Sequence, residues 1–257
     1  MIRIGIMDSG CGGISVLREI RRILPGADYM YYADNANCPY GEKTREFITE
    51  RCRTICGDFV RKGADIIVIA CNTATSAAIE TLRQELDIPI VGMEPAIKPA
   101  ALISRSGVIG VLATSGTLSG EKYLSMKTEW SGEVKILESV GKGFVEAVES
   151  GELTGEKTEA LCRESLLPLL EAGADTIVLG CTHYPFLLPT LQKVCSAAGY
   201  SGITFIDPAP AVARRVRSLL GSKADEISSA PGSVTLDASG SPLNKGACHL
   251  YSPGVSE

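Results

Sequence analysis

One stretch of this chain occurs twice, and each copy ends on a cysteine. Lys62–Ser76 reads KGADIIVIACNTATS and Ala172–Pro185 reads AGADTIVLGCTHYP. Gly63, Ala64, Asp65 and Cys71 correspond one for one with Gly173, Ala174, Asp175 and Cys181 at a constant offset. In both copies a run of Ile, Val and Leu stops abruptly at cysteine. Such a run, too apolar for a strand with one wet face and preceded by a helical stretch, predicts a buried parallel strand. Ligands of open parallel sheets bind just past the carboxyl ends of the strands. Two strand ends each carrying a thiol therefore predict a cleft with a cysteine on either wall. That arrangement suits a reaction needing a base on one face of a carbon and an acid on the other.

The rest of the chain alternates in the same way. Strands are predicted at Ile2–Met7, Tyr29–Ala33, Ile66–Ala70 and Ile88–Gly92, and helices at Ile14–Leu24, Arg45–Lys62, Thr73–Leu86 and Ala96–Arg105. The cycle then restarts, with strands at Val108–Leu112, Val134–Glu138, Thr176–Gly180 and Ile203–Ile206 and helices near 118–129, 154–172 and 187–198. Val108–Ser115 echoes Ile2–Ser9, with Gly110 against Gly5. The expected fold class is α/β: two pseudo-symmetric domains with mainly parallel sheets and the active site in the cleft between them. The expected domains are residues 1–94 plus 207–257, and residues 95–206. Past Gly221 the composition turns to Ser, Gly, Pro and Ala, which fits a loose strand with loops or partial disorder.

Bulk properties narrow the class of function. At 257 residues, 45% hydrophobic and 21% charged, the composition is that of an ordinary α/β protein rather than a disordered one. A net charge of −5 without a basic block argues against direct nucleic-acid binding. No apolar run approaches the roughly 20 residues that span a bilayer, and the amino terminus runs straight into a strand rather than a signal peptide. The nine cysteines follow no framework pattern and read as reduced cytosolic thiols, so a cytoplasmic location is expected.

Four short motifs sit where strands should end. Asp8–Gly13 (DSGCGG) follows the first strand and opens a helix. Its glycines either aim backbone amides at an anion or simply make a tight turn. Asp8 itself, a carboxylate at a buried strand end, needs a partner. Asp34–Gly41 (DNANCPYG) reads equally as a plain turn. In Cys71-Asn72-Thr73, Asn72 or Thr73 is suited to cap the next helix, and Cys71 is either reactive or a small core hydrophobe. Cys181-Thr182-His183 places one of the chain's two histidines two residues from the repeated cysteine, a setting for thiol activation. A metal site built from Cys71, Cys181, His183 and Asp8 is disfavoured because no second ligand flanks Cys71 at metal spacing. Cys52-x-x-x-Cys56 lies within a predicted helix with no second pair near it.

Taken in order, the DSGxGG, DxAxxPYG, ACNTA, ATxxT and GCTHYP segments resemble the glutamate racemases of the cofactor-independent Asp/Glu racemase superfamily. The resemblance covers residues 2 to about 220, and the CNT/CTH pair is its most specific part. His183 after Cys-Thr points to glutamate, since aspartate racemases of the superfamily typically carry Glu there. The resemblance implies interconversion of L- and D-glutamate without cofactor or metal, in a cytoplasmic homodimer that supplies D-glutamate for peptidoglycan. It implies catalysis by Cys71 acting on D-glutamate and Cys181 on L-glutamate, assisted by Asp8 and His183, with Glu149 behind His183. Asp8, Ser9 and Asn72 would lie near the ammonium group. Asn72, Thr73, Thr114 and Thr117 would hold the α-carboxylate, and Pro39, Tyr40, Gly41 and Thr182 the side-chain carboxylate. Thiols suit both proton-transfer roles because their ordinary pKa of about 8.5 is readily lowered at helix amino termini. The chain departs from the family where Asn37 replaces an Arg, an expected loss of a structural or interface charge. Cys11 also replaces a small apolar residue, and the stretch before Glu149 lacks the usual Cys-Pro. Two other readings stay open: a racemase of aspartate or hydantoin type, and a non-catalytic regulatory binder such as a partner of a DNA topoisomerase.

Overall fold

The structure is a computed structural model and describes residues 1–240. In chain order its elements are β1 (Arg3–Asp8), α1 (Ile14–Ile23), β2 (Asp28–Ala33), α2 (Arg45–Arg61), β3 (Ile66–Ile69), α3 (Asn72–Glu85) and β4 (Ile90–Gly92). There follow α4 (Ile97–Ile103), β5 (Val108–Ala113), α5 (Ser115–Leu118), α6 (Glu121–Trp130), β6 (Lys135–Val140), α7 (Phe144–Ser150), α8 (Glu156–Glu171), β7 (Thr176–Gly180), α9 (Leu188–Ala197) and β8 (Thr204–Ile206). The last elements of the described residues are α10 (Ala209–Leu220) and β9 (Val234–Ala238). Two compact units result, one of Met1–Met93 with the chain from Ala209 onward, the other of Glu94–Pro208.

The first unit is a five-stranded sheet of order β4-β3-β1-β2-β9, and the second a four-stranded sheet of order β6-β5-β7-β8. Every pairing is parallel. Read from β4 and from β8, the two orders match strand for strand, with β9 added to the first unit. In that unit α2 and α3 cover the sheet face carrying Met7, Ile67 and Ile69. In the second, α4 and α6 cover the face carrying Ile109, Val111 and Val178. The paired glycines of the echo have a steric reason. A Cβ at Gly5 would lie 2.7 Å from the Phe59 ring of α2, and one at Gly110 would lie 2.9 Å from Leu169 of α8. Each glycine lets a helix ride close over the central strand of its sheet.

The repeated Gly-Ala-Asp is a helix stop followed by a strand clamp. After α2 the Gly63 amide donates to Val60 O at 3.0 Å and the Ala64 amide to Phe59 O at 3.0 Å. After α8 the Gly173 amide donates to Leu170 O at 2.9 Å and the Ala174 amide to Leu169 O at 3.0 Å. Both are Schellman closures, which need a left-handed residue. Gly63 and Gly173 supply it at φ 79° and 94°. The next residue then locks the strand start. Asp65 accepts the Arg3 amide at 2.8 Å. Asp175 accepts the Arg105 and Ser106 amides at 2.7 and 2.8 Å and the Ser104 hydroxyl at 2.7 Å.

Partial burial opposes ionisation of Asp175, but the bonds from Ser104, Ser106, Arg105 and Thr176 outweigh it and hold its pKa at about 2. A carboxylate depressed from 3.8 to about 2 stabilises the fold above the higher value, and that contribution vanishes as pH falls through the lower one. Asp175→Asn is therefore expected to lower unfolding free energy at pH 7 by about 1 kcal/mol. Urea titrations of variant and parent should converge as pH drops below 4 toward 2. A gap that persists undiminished in acid would rule out the charged clamp.

The tail after Gly221 yields a strand: β9 pairs in register with β2 from Tyr29↔Val234 to Ala33↔Ala238. Sequence reading passed over α5, α7 and α10, and its helix near 118–129 corresponds to α6. The tail from 241 to 257 lies outside the described residues. Among those residues, no helix is long and apolar enough to cross a membrane.

Candidate functional site

In the first unit the predicted residues gather at the carboxyl edge of the sheet, after β1, β2 and β3. Asp8, at the end of β1, is fully buried and accepts the Gly10 amide at 3.0 Å. The turn behind it is tight. The Tyr31 hydroxyl donates to Gly10 O at 2.6 Å, and a Cβ at Gly13 would stand 2.6 Å from the Asp8 side chain. That close approach, rather than backbone conformation, makes Gly13 a glycine. Ser9 and Cys11 are buried beside it.

Cys71 leaves β3 and stands at the amino-terminal cap of α3, where its Sγ accepts the Ala74 amide at 3.4 Å. This corrects the expectation that Asn72 or Thr73 caps the helix: both lie within its first turn. The sulfur thus meets the positive end of the helix dipole, where negative charge is favoured. Cys71 is 7% exposed and packs on the α2–α3 core. Asn72 is 4% exposed, and among the described residues neither its Oδ1 nor its Nδ2 has a hydrogen-bond partner. A buried bare amide costs on the order of 1–3 kcal/mol. Thr73 is buried beside it.

The segment after β2 holds Pro39, Tyr40 and Gly41. It comprises two short 3-10 turns, Asn35–Asn37 and Tyr40–Glu42. Asp34, at its head, is completely buried and pairs bidentately with Arg51 of α2 at 2.8 and 2.9 Å. Asn37 adds its amide to the same carboxylate at 3.1 Å.

In the second unit the predicted residues follow β5 and β7, joined by one residue of α7. Thr114 caps α5 by accepting the Thr117 amide at 3.2 Å, and the two hydroxyls lie 3.0 Å apart. Cys181, 8% exposed, follows β7, with Thr182 and His183 buried after it. Cys181 Sγ stands 3.7 Å from His183 Nδ1, and His183 Nε2 stands 2.7 Å from Glu149 Oε1. The imidazole thus bridges the Glu149 carboxylate and the Cys181 sulfur, one ring nitrogen toward each. Helix α7 is set by Gly143 and Gly151, both left-handed, at its two ends. It is also anchored by an edge-on contact between Phe144 and Tyr184 at 4.9 Å. Glu149 thus reaches His183 without the Cys-Pro found before it in the family.

The eight described cysteines are all free thiols. Burial pushes the thiol of Cys52 well up and that of Cys56 to about 12, so this pair within α2 behaves as inert core. Sequence reading missed Arg51, Thr75 and Ser239. Thr75 donates to Ile69 O and accepts the Met93 amide, tying β3 to the end of β4.

These features define an α/β protein with cysteines at equivalent strand ends, one on a helix amide and one against a His–Glu pair. The chain belongs to the Asp/Glu/Hydantoin racemase family, whose model matches residues 4–216. It is 48% identical over 218 residues to a glutamate racemase of Stutzerimonas stutzeri, covering 84% of this chain and 81% of that protein. It is 47% identical over 223 residues to a glutamate racemase of Pseudomonas aeruginosa, covering 86% and 82%. Among solved structures it resembles Escherichia coli glutamate racemase in complex with L-glutamate and the activator UDP-MurNAc-ala. The TM-score is 0.82 and the identity 32%, covering 97% of this chain and 92% of that one.

Proposed function

We propose that this protein is a glutamate racemase, an isomerase that interconverts L- and D-glutamate by a two-base mechanism without a cofactor. Its cellular role is the supply of D-glutamate for peptidoglycan, in the cytoplasm and as a homodimer. The two compact units are the two racemase domains, and both thiols address one α-carbon from opposite faces. The observation that carries the reading is the inequality of the two cysteines. Cys71 has a helix amide on its sulfur and Asp8 at the neighbouring strand end, whereas Cys181 faces Nδ1 of His183, whose Nε2 meets Glu149.

The α-proton of an amino acid is held tightly, so its removal must be accompanied by stabilisation of the developing carbanion. Fixed donors in a site closed to water supply that. From L-glutamate the Cys181 thiolate takes the proton, and the Cys71 thiol then delivers another to the opposite face of the carbanion. From D-glutamate the roles reverse. His183 accepts and returns the Cys181 proton, Glu149 steadies the imidazolium, and Asp8 serves Cys71.

The bare amide of Asn72 supports an amino-acid head group as ligand. Its Nδ2 donors match an α-carboxylate and its Oδ1 acceptor matches an ammonium. Asp8 and Ser9 join it at the ammonium, and Thr73, Thr114 and Thr117 join it at the α-carboxylate. Pro39, Tyr40, Gly41 and Thr182 hold the side-chain carboxylate. The names of the relatives at 47–48% identity support glutamate as that substrate.

The test is exchange of the α-proton in D₂O with purified protein to which no cofactor is added, followed by NMR and optical rotation. Exchange with loss of rotation from both glutamate enantiomers is the expected result. Exchange with aspartate alone would keep the mechanism and replace the substrate. Folded, reduced protein that exchanges no amino acid would overturn the reading.

A further inference from the structure

We propose that Asp34, Arg51 and Ser239 form a positioning cluster that sets the Tyr40–Gly41 segment and thereby the enzyme's affinity for the side-chain carboxylate. The proposal rests on the assignment of Tyr40 and Gly41 to that carboxylate made above. The segment from Asp34 to Glu42 pairs with no strand. Beyond the Asp34 amide, its backbone–backbone bonds are local, from Asn37 to Asp34, Cys38 to Asn35 and Lys43 to Tyr40 at 2.9 to 3.2 Å. A stretch so short of ladder bonds takes its shape from side chains, and here one side chain gathers the rest.

The Asp34 carboxylate, at 0% exposure, receives the Tyr40 hydroxyl at 2.6 Å, both Arg51 donors, the Asn37 amide and the Ser239 hydroxyl at 2.7 Å. Burial resists its ionisation, but the bonds from Arg51, Tyr40, Ser239 and Asn37 hold it ionised, at about 2. Ser239 acts twice, because its Oγ also accepts the Ala36 amide at 3.1 Å. Its own amide meets Ala33 O at 3.0 Å. Three remote parts of the chain thus converge on one buried charge: the loop itself, α2, and the residue just past β9. The Asp34 amide in turn bonds Asp8 O at 2.9 Å, which ties the cluster to the first-strand end of the site.

The geometry has a consequence for specificity. Glutamate and aspartate differ by one methylene, so the position of the side-chain carboxylate donors decides between them. A shift of about 1 Å in such donors costs up to on the order of a hundredfold in rate. Tyr40 is clamped at its phenol by Asp34, so its backbone has little freedom to follow a shorter substrate. None of the three cluster residues is assigned to the α-carbon, so their loss affects where the carboxylate sits rather than proton transfer.

The experiment is steady-state racemisation of L- and D-glutamate and of aspartate by the full chain and by Ser239→Ala, Arg51→Gln and Arg51→Lys. Ser239 is partly exposed at the sheet edge, so its alanine variant tests the cluster even where Arg51→Gln fails to fold. Ser239→Ala should raise KM for glutamate by roughly three- to tenfold with kcat within about twofold. Arg51→Gln should raise it by more than about tenfold and lower the preference for glutamate over aspartate, and Arg51→Lys should restore part of both. Unchanged KM and preference, with only a lower melting temperature, would make the cluster purely structural and overturn the proposal. A fall in kcat at constant KM would overturn it too. A parent protein inert toward glutamate would overturn the racemase reading itself, whereas an active parent with unmoved variants would overturn this inference alone.

Discussion

Replacing Cys71 or Cys181 with alanine is expected to lower racemisation of glutamate by on the order of 10⁴-fold or more. A two-base inversion has no spare base: the surviving thiol can visit only its own face of the carbon. The serine variants separate chemistry from folding. Serine is a preferred amino-terminal cap, and Cys71 stands at that position with its sulfur on the Ala74 amide. Cys71→Ser should therefore keep or slightly raise thermal stability while activity collapses, because an alcohol does not ionise in the range where a thiol does. Cys181 caps no helix, so Cys181→Ser should be near neutral for stability and as damaging to turnover. The measurement is circular-dichroism racemisation from each enantiomer beside a thermal melt. Either serine variant keeping turnover within tenfold of the parent would refute the two-base mechanism.

How much of this was legible in the sequence depended on distance along the chain. The repeat announced β3 and β7 because buried parallel strands write themselves as unbroken apolar runs. The Gly-Ala-Asp that precedes each was visible as a pattern but not as a mechanism, since the Schellman closure and the strand clamp need a partner to be seen. The cap of α3 was misassigned because cysteine is rarely counted among capping residues and two better ones follow it. β9 was hidden in a tail of Ser, Gly and Pro, and its five residues show a half-buried alternation too short to stand out.

The hub at Asp34 was beyond reach. Ser239 lies 205 residues from its partner, and Arg51 is one of several cations on a charged helix, with nothing local to single it out. Glu149 was reached through resemblance alone, and the geometry now gives it a physical link to His183. The residues nearest the chemistry are thus the ones that sequence shows best, because short strand-end motifs carry them. Those that position the chemistry come from remote elements that no local pattern connects.

The pairing of His183 with Glu149 leads to a prediction with an asymmetric signature. His183→Asn should lower kcat/KM by on the order of 10³-fold, and Glu149→Gln by roughly tenfold to a hundredfold. The glutamine carbonyl still accepts from Nε2 and preserves the tautomer, but it lacks the charge that stabilises the imidazolium. Enantiomers have equal free energy, so the equilibrium constant is unity and kcat/KM must fall by the same factor in both directions. Direction therefore cannot be read from rates alone. It can be read from isotope effects. His183 serves Cys181, so its loss raises the barrier for proton transfer between the α-carbon and that sulfur. Starting from α-deuterated L-glutamate, the slowed step breaks the labelled bond, and a large primary isotope effect on kcat/KM should appear. Starting from α-deuterated D-glutamate, the labelled bond breaks in the faster step at Cys71, and the effect should shrink toward unity. Asp8→Asn should give the mirror image, large from D and small from L. Equal isotope effects from both enantiomers in the His183 and Asp8 variants would mean that neither residue is dedicated to one cysteine. The inequality of the two thiols, on which the functional reading stands, would then have no kinetic counterpart.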